Sequence, residues 1–257
     1  MMPYSYLARF YDSMYPDTFS VRMVAYTLRI LKKFNFEAKT ALDVCCGTGT
    51  ALRELTAGGL KADGLDRSPA MLSAARKKLR GRKVTLYRQA LPRFEIAQRK
   101  GSGSKRPKQY DLITSYFDSL NYLLTERDLK AAFRSIYRHL IPGGWFVFDM
   151  NTVEMFKILW NEQPWVGIRD KQIWVMRSEF LKARSMTRLS GTFLEKQGRT
   201  WQRYDETHYE RAYPNPRIRS MLRETGFQVK GFYHCLSFDP VSRSSRKFCA
   251  AARKPNR

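Results

Sequence analysis

The sequence predicts an α/β fold: a doubly wound, mostly parallel sheet with an N-terminal helical segment and a small antiparallel β insertion. Three observations predict it. Short apolar runs alternate with segments of helical period between about residues 40 and 150. The first of these runs, Ala41 to Cys46, breaks at Gly47-Thr48-Gly49. From about Gln172 to Tyr209 the alternation gives way to consecutive strand-like segments. Strands separated by helices pair in parallel with the helices on the sheet faces, whereas successive strands joined by short turns pair antiparallel.

Met1 to about Glu37 reads as helices with aromatic anchors, Val21 to Phe34 carrying apolar residues at helical spacing. Ala41 to Cys46 is a buried strand, and the helix behind its glycine turn passes Leu52 and Leu55 to stop at Gly58-Gly59. Lys61 to Leu65 is the next strand. Ser68 to Leu79 is a helix with Ser68 as N-cap and Pro69 at its first position. Val84 to Arg88 is a third strand. Ala97 to Gln109 has glycine, serine, proline and basic residues but no apolar face, and reads as a loop. Asp111 to Tyr116 is a fourth strand, Thr125 to Leu140 a helix stopped by Pro142-Gly143-Gly144, and Trp145 to Met150 a fifth strand. Ile173 to Phe180, Met186 to Glu195 and Thr200 to Tyr209 read as antiparallel strands, with Gly191 and Gly198 as turn or bulge positions. Pro216 to Thr225 is a helix, and Gln228 to Cys235 and Lys247 to Arg253 are closing strands.

Composition narrows the class. The 257 residues are 43% apolar and 14% aromatic, which is globular rather than disordered. No run of about 18 apolar residues exists, so no membrane helix or membrane partner is expected. The first residues lack the charged-then-apolar layout of a signal peptide, so a cytoplasmic protein is expected. The four cysteines form no CxxC and no zinc-like spacing with histidine, which points to reduced thiols and no metal. The net charge of +24 implies attraction to polyanions. Nucleic acid is one candidate partner; an anionic small substrate or a basic host proteome are others. Basic residues cluster between Arg76 and Lys108, a solvated surface or a nucleic-acid track with Tyr87 and Phe94 as stacking groups.

The chemistry is concentrated in Asp43-Val44-Cys45-Cys46-Gly47-Thr48-Gly49-Thr50. Glycines behind a buried strand let the chain turn tightly and let a ligand approach the backbone. About 20 residues on, Gly64-Leu65-Asp66 ends a second strand in a carboxylate able to accept both ribose hydroxyls of an adenosine. A nicotinamide dinucleotide is the rival ligand, but the loop lacks the third glycine of that fingerprint. An acid as early as Asp43 also suits a cation better than a pyrophosphate.

Together with Tyr110-Asp111 and Leu140-Ile141-Pro142-Gly143-Gly144, these segments resemble the successive motifs of class I S-adenosylmethionine-dependent methyltransferases, a Rossmann-like family, over roughly residues 40 to 150. Phe117-Asp118-Ser119-Leu120-Asn121-Tyr122-Leu123, Phe148-Asp149-Met150-Asn151-Thr152, Tyr11-Asp12 and Glu206 to Pro214 resemble a group of small bacterial methyltransferases, similar in layout to the sugar-amine and glycine N-methyltransferases. The resemblance implies S-adenosylmethionine as cofactor and S-adenosylhomocysteine as product. Tyr11, Asp43, Cys45, Gly47, Gly49, Asp66, Arg67, Met71 and Phe117 would bind the cofactor: the glycines shape the loop, Asp43 sits near the amino group, Asp66 takes the ribose and Met71 packs on adenine. The family's usual acid after the third strand is missing from Arg88-Gln89-Ala90-Leu91; Gln89 or a backbone carbonyl would replace it. Asp118 would face the methyl group and the substrate.

Glu206 and His208 share a strand face, so the carboxylate would raise the imidazole's basicity and suit proton removal from an amine or hydroxyl; a merely hydrogen-bonded histidine is the alternative. His139, near a helix C-terminus, reads as a surface residue. One domain, 1–257, is expected: a helical cap (1–37), a cofactor-binding core (38–152), an antiparallel lid over the substrate site (153–212), and a closing helix and strands (213–257). The expected activity is methyl transfer to an N or O nucleophile of a small molecule by a monomer or homodimer. An RNA or ribosome-associated methyltransferase using the basic surface is the alternative.

Overall fold

The computed structural model describes residues 4–15, 18–98, 106–159 and 163–256. Its elements are α1 (Leu7–Met14), α2 (Thr18–Lys33), β1 (Thr40–Val44), α3 (Thr50–Ala57), β2 (Lys61–Asp66), α4 (Pro69–Lys78), β3 (Thr85–Arg88), β4 (Tyr110–Ser115), α5 (Glu126–Arg138), β5 (Leu140–Asn151), α6 (Val153–Leu159), β6 (Trp165–Arg169), β7 (Gln172–Leu181), β8 (Met186–Gln197), β9 (Thr200–Arg211), α7 (Asn215–Glu224), β10 (Gln228–His234) and β11 (Lys247–Arg253). The basic stretch 99–105 lies outside the described residues; its flanks meet in an antiparallel bridge, Ala97 to Pro107.

Seven strands form the central sheet in the order β10-β11-β5-β4-β1-β2-β3. Strands β3, β2, β1, β4 and β5 run parallel, while β11 and β10 are antiparallel. Helices cover both faces. Phe133 and Ile136 of α5 and Met221 of α7 bury one face with Phe146 and Phe148. Ile30 of α2, Leu52 and Leu55 of α3 and Leu72 of α4 bury the other with Trp145. The helix starts follow local chemistry: the Met71 amide donates to Ser68 Oγ at 3.2 Å, and the Asp128 amide to Thr125 Oγ1 at 3.1 Å.

Four local expectations are corrected. Helix α5 ends at Arg138 rather than at the Pro-Gly-Gly segment, which instead bulges out of β5: Tyr110 pairs Leu140, yet Leu112 pairs Trp145. Gly191 is neither turn nor bulge. It pairs with Met176 and Glu206 in mid-strand, and a Cβ there would lie 2.6 Å from the Phe193 ring, so glycine makes room for that side chain. His139 is 1% exposed; the Ile96 amide donates to its Nε2, Nδ1 faces Ser135 O, and burial holds its basicity below the usual imidazole range. Phe94, expected as a base-stacking group, is buried against that ring at 4.6 Å between centroids.

Strands β6 to β9 form a separate antiparallel sheet. Its first strand, Trp165–Arg169, was not foreseen. Helix α1 closes on this sheet through Leu7, Phe10 and Met14, which pack with Trp174, Met176 and Phe193.

Candidate functional site

The carboxyl ends of β1, β2, β4 and β5 lie side by side, the edge at which open α/β sheets bind ligands. Behind β1 the chain turns through Cys45 (φ 62°) and Gly47 (φ 53°), both left-handed. The Gly47 amide donates to Asp66 Oδ2 at 3.0 Å and the Ser68 amide to Oδ1 at 2.8 Å, so the acid at the tip of β2 grips the turn of β1. A Cβ on Gly47 would meet nothing within 4 Å, which leaves that side of the turn open. Beneath it, Asp43 is 3% exposed and accepts from Thr114 Oγ1 at 2.6 Å. Burial pushes its carboxyl up to about 7; the Thr114 bond opposes this and Asp66 adds to it. Burial also raises Asp66 above the usual carboxylate range, against its backbone donors.

Of the ten residues expected at the cofactor, Tyr11, Cys45, Gly47, Asp66, Arg67, Met71 and Phe117 line one narrow cavity of about 70 Å³, together with Tyr4, Ser119 and Tyr122. Asp43, Gly49 and Gln89 do not line it. Gly49 (φ 84°) caps α3 and faces Leu79 and Ala75. Gln89 is turned away to pin the loop behind β3, where its Nε2 donates to Glu95 O at 2.7 Å and its Oε1 accepts from Glu95 N at 2.8 Å. The donor set fits a cationic nucleoside. The Gly47 amide is already held by Asp66 instead of being presented to a pyrophosphate, and carboxylates stand at and beneath the turn.

A second cavity, of about 360 Å³, lies between the central sheet and the inserted one, and Phe117 lines both. Phe117 (φ 60°) and Asp118 (φ 50°) are non-glycine residues held left-handed, a conformation that costs on the order of 1 kcal/mol or more each. The fully buried Asp149 carboxylate holds both, accepting the Phe117 amide at 2.7 Å and the Asp118 amide at 3.0 Å. Lys247 of β11 donates to Asp118 Oδ1 at 2.5 Å and to Asp149 Oδ2 at 2.8 Å. Burial disfavours its ammonium, but the two carboxylates outweigh burial and hold it charged. Asn121 then ties three elements together, donating to Asn151 O and Arg211 O and accepting the Asn151 amide.

Asp118 lines the larger cavity; His208 lines neither. Its Nε2 lies 3.1 Å from Glu206 Oε2 and its Nδ1 3.3 Å from Tyr122 Oη, and it is 1% exposed, so the ring is engaged at both ends. The geometry therefore gives His208 a supporting place instead of the base's place. Glu206 also accepts the backbone amides of Tyr4 and Tyr6, which fastens the N-terminal segment over the smaller cavity. Burial would raise Glu206, but His208 and the backbone amides of Tyr6 and Leu7 hold it below the usual range.

Asp149, Lys247 and Glu210 are site residues that the sequence did not single out. Glu210 is 3% exposed and lines the larger cavity. A signal for it existed: the two-residue period joining Glu206 to His208 on one face of β9 reaches Glu210 at the next step.

Comparison with known proteins agrees with this geometry. A methyltransferase domain is matched over residues 41–144. YqeM of Bacillus subtilis (strain 168), whose name assigns it provisionally as a methyltransferase, is 30% identical over 216 residues, covering 82% of each chain. An S-adenosylmethionine-dependent methyltransferase structure from Clostridium acetobutylicum ATCC 824 superposes with a TM-score of 0.83 at 25% identity, covering 98% of this chain and 99% of that one. A dTDP-3-amino-3,4,6-trideoxy-alpha-D-glucopyranose N,N-dimethyltransferase of Streptomyces venezuelae is 35% identical over 113 residues, 44% of this chain and 43% of its own. With a tight glycine turn gripped by the neighbouring strand's acid, and with these relatives, the chain belongs to the S-adenosylmethionine-dependent methyltransferases.

Proposed function

We propose that the smaller cavity receives S-adenosylmethionine and the larger one a small molecule, whose nitrogen or oxygen is methylated where the two meet. The observation that carries this reading is Phe117, the residue common to both walls. When bound, the cofactor supplies a methyl group already activated by its sulfonium, so the protein's part is positioning, exclusion of water and removal of a proton. Asp66 takes the ribose, Met71 packs on the adenine, and Asp43 and the glycine turn lie beneath the methionine part. Tyr4 and Tyr11 close the N-terminal side. Met176, Thr187 and Leu189 of the inserted sheet wall the larger cavity, which supports its part as a lid.

A cavity of about 360 Å³ has the size and the mostly apolar lining of a small-ligand site. The amino-sugar activity named for the Streptomyces venezuelae relative supports an acceptor of that scale. The nucleic-acid reading loses Phe94, which is buried. Calorimetry tests the cofactor assignment: Asp66→Ala is expected to weaken S-adenosylmethionine binding at least tenfold, about 1.4 kcal/mol. Equal affinity in the folded variant would remove the ribose assignment.

A further inference from the structure

The larger cavity carries an unusual polar set, whose meaning rests on that cavity being the acceptor site. Three of its lining residues carry buried oxygen acceptors. Glu210 is buried in β9. Asn151, at the end of β5, bonds Glu210 through its side chain and leaves Oδ1 without a partner. Thr187 of β8 is fully buried, with its Oγ1 likewise without a partner. A hydroxyl brings one donor to such a set, whereas an amine or ammonium brings two or three. Between them, Phe19, Met155, Phe156, Trp165 and Leu189 present carbon.

The charges point the same way. Three carboxylates, Asp118, Asp149 and Glu210, stand around one ammonium, Lys247, which is taken up by the first two. Arg177, the other cation of the wall, is exposed, and water screens it. Among the described residues Tyr4, Tyr15 and Tyr122 also interact with Glu210, and burial keeps all three neutral. Glu210 is therefore a carboxyl of the cavity wall to which Lys247 makes no hydrogen bond, open to a second cation.

We infer that Glu210, with Asn151 and Thr187, receives the acceptor's nitrogen, and that the acceptor is an amine on an apolar body, neither an alcohol nor a polyhydroxylated sugar. Burial and Asp118 push the Glu210 carboxyl well above its ordinary range, with Lys247 and Asn151 opposing, which makes it a stronger base than an ordinary carboxylate. An entering ammonium gives one proton to Glu210. The freed nitrogen lone pair forms the N–CH3 bond as the S–CH3 bond breaks, and that electron pair stays on sulfur. The product leaves as the methylated ammonium, and Glu210 returns its proton to water.

Binding to the full chain loaded with S-adenosylhomocysteine tests this without turnover. Phenethylamine, benzylamine and cyclohexylamine are titrated beside 2-phenylethanol, benzyl alcohol and cyclohexanol. The wild type is expected to bind at least one amine about tenfold or more tighter than its alcohol. Glu210→Gln should lose that preference while keeping its affinity for S-adenosylmethionine. Amines bound no better than alcohols, no amine bound, or a preference surviving in Glu210→Gln would each overturn the inference. If Glu210→Gln does not fold, Thr187→Val must show a reduced amine preference, and an unreduced one overturns it. Failure of the wild type to bind S-adenosylmethionine would sink the proposed function separately, because amine preference is read on its own.

Discussion

Asp43 shows how one buried side chain sets conditions for the molecule. Its carboxyl is held at about 7 by burial, while in the unfolded chain it returns to 3.8. Between those values the folded state binds more protons than the unfolded one, so stability falls as pH rises through that window. A shift of this size corresponds to on the order of 4 kcal/mol at pH 8, and Asp66, also raised, acts in the same direction. Asp43→Asn keeps an acceptor for Thr114 and abolishes the titration. The ligand-free variant is therefore expected to melt at a higher temperature than wild type at pH 8, with a flatter profile from pH 5 to pH 8. Calorimetric melting across that range checks it, and parallel profiles would refute the assignment. Asp43, Gly47 and Asp66 were legible because their relation is local: a strand, a turn and the next strand tip. Lys247 was not, since it lies 129 residues from Asp118 and only the closing strand brings it there. Asp149 looked like part of a motif, but the two strained amides it holds come together only in three dimensions.

At the scale of elements, the alternation of strands and helices was readable because each parallel strand is a short apolar run bounded by turn residues. Register and irregularity were not. The Pro-Gly-Gly bulge depends on where β4 stands beside β5, and Gly191 on where the Phe193 ring goes. The strand β6 escaped notice because its residues are largely exposed, so no buried face imposed a period. The junction between the N-terminal segment and the inserted sheet was also invisible, and it rests on Glu206. Removing that carboxylate leaves the Tyr4 and Tyr6 amides and the His208 ring without their acceptor. Glu206→Ala is expected to destabilise the protein by about 3 kcal/mol, to speed amide exchange over residues 4–15 relative to the central strands, and to weaken S-adenosylmethionine about tenfold. Exchange mass spectrometry and calorimetry on one preparation check all three. Unchanged exchange at the N-terminal segment would show that α1 is held by its apolar face alone.

On the scale of the whole molecule, a strongly basic chain gathers acidic side chains at its site. The chain carries +24, yet Asp43, Asp66, Asp118, Asp149 and Glu210 gather at one sheet edge and its lid. S-adenosylmethionine is itself a net cation, so it is repelled at long range and attracted at short range. A chain of this length has a radius of gyration of about 18 Å, whereas the screening length at 0.1 M salt is about 10 Å and roughly 30 Å at 0.01 M. Raising salt from about 0.01 to 0.15 M thus removes most of the repulsion from distant surface charges. The attraction inside the partly buried pocket is screened much less. The association rate of S-adenosylmethionine is therefore expected to rise several-fold over that range, with little change in dissociation, so that affinity strengthens with salt. A polyanionic ligand would show the opposite, a steep loss of affinity. Stopped-flow fluorescence at four salt concentrations separates the two rates. An association rate that falls with salt would mean that the acids at the site, and not the basic exterior, govern the approach of the cofactor.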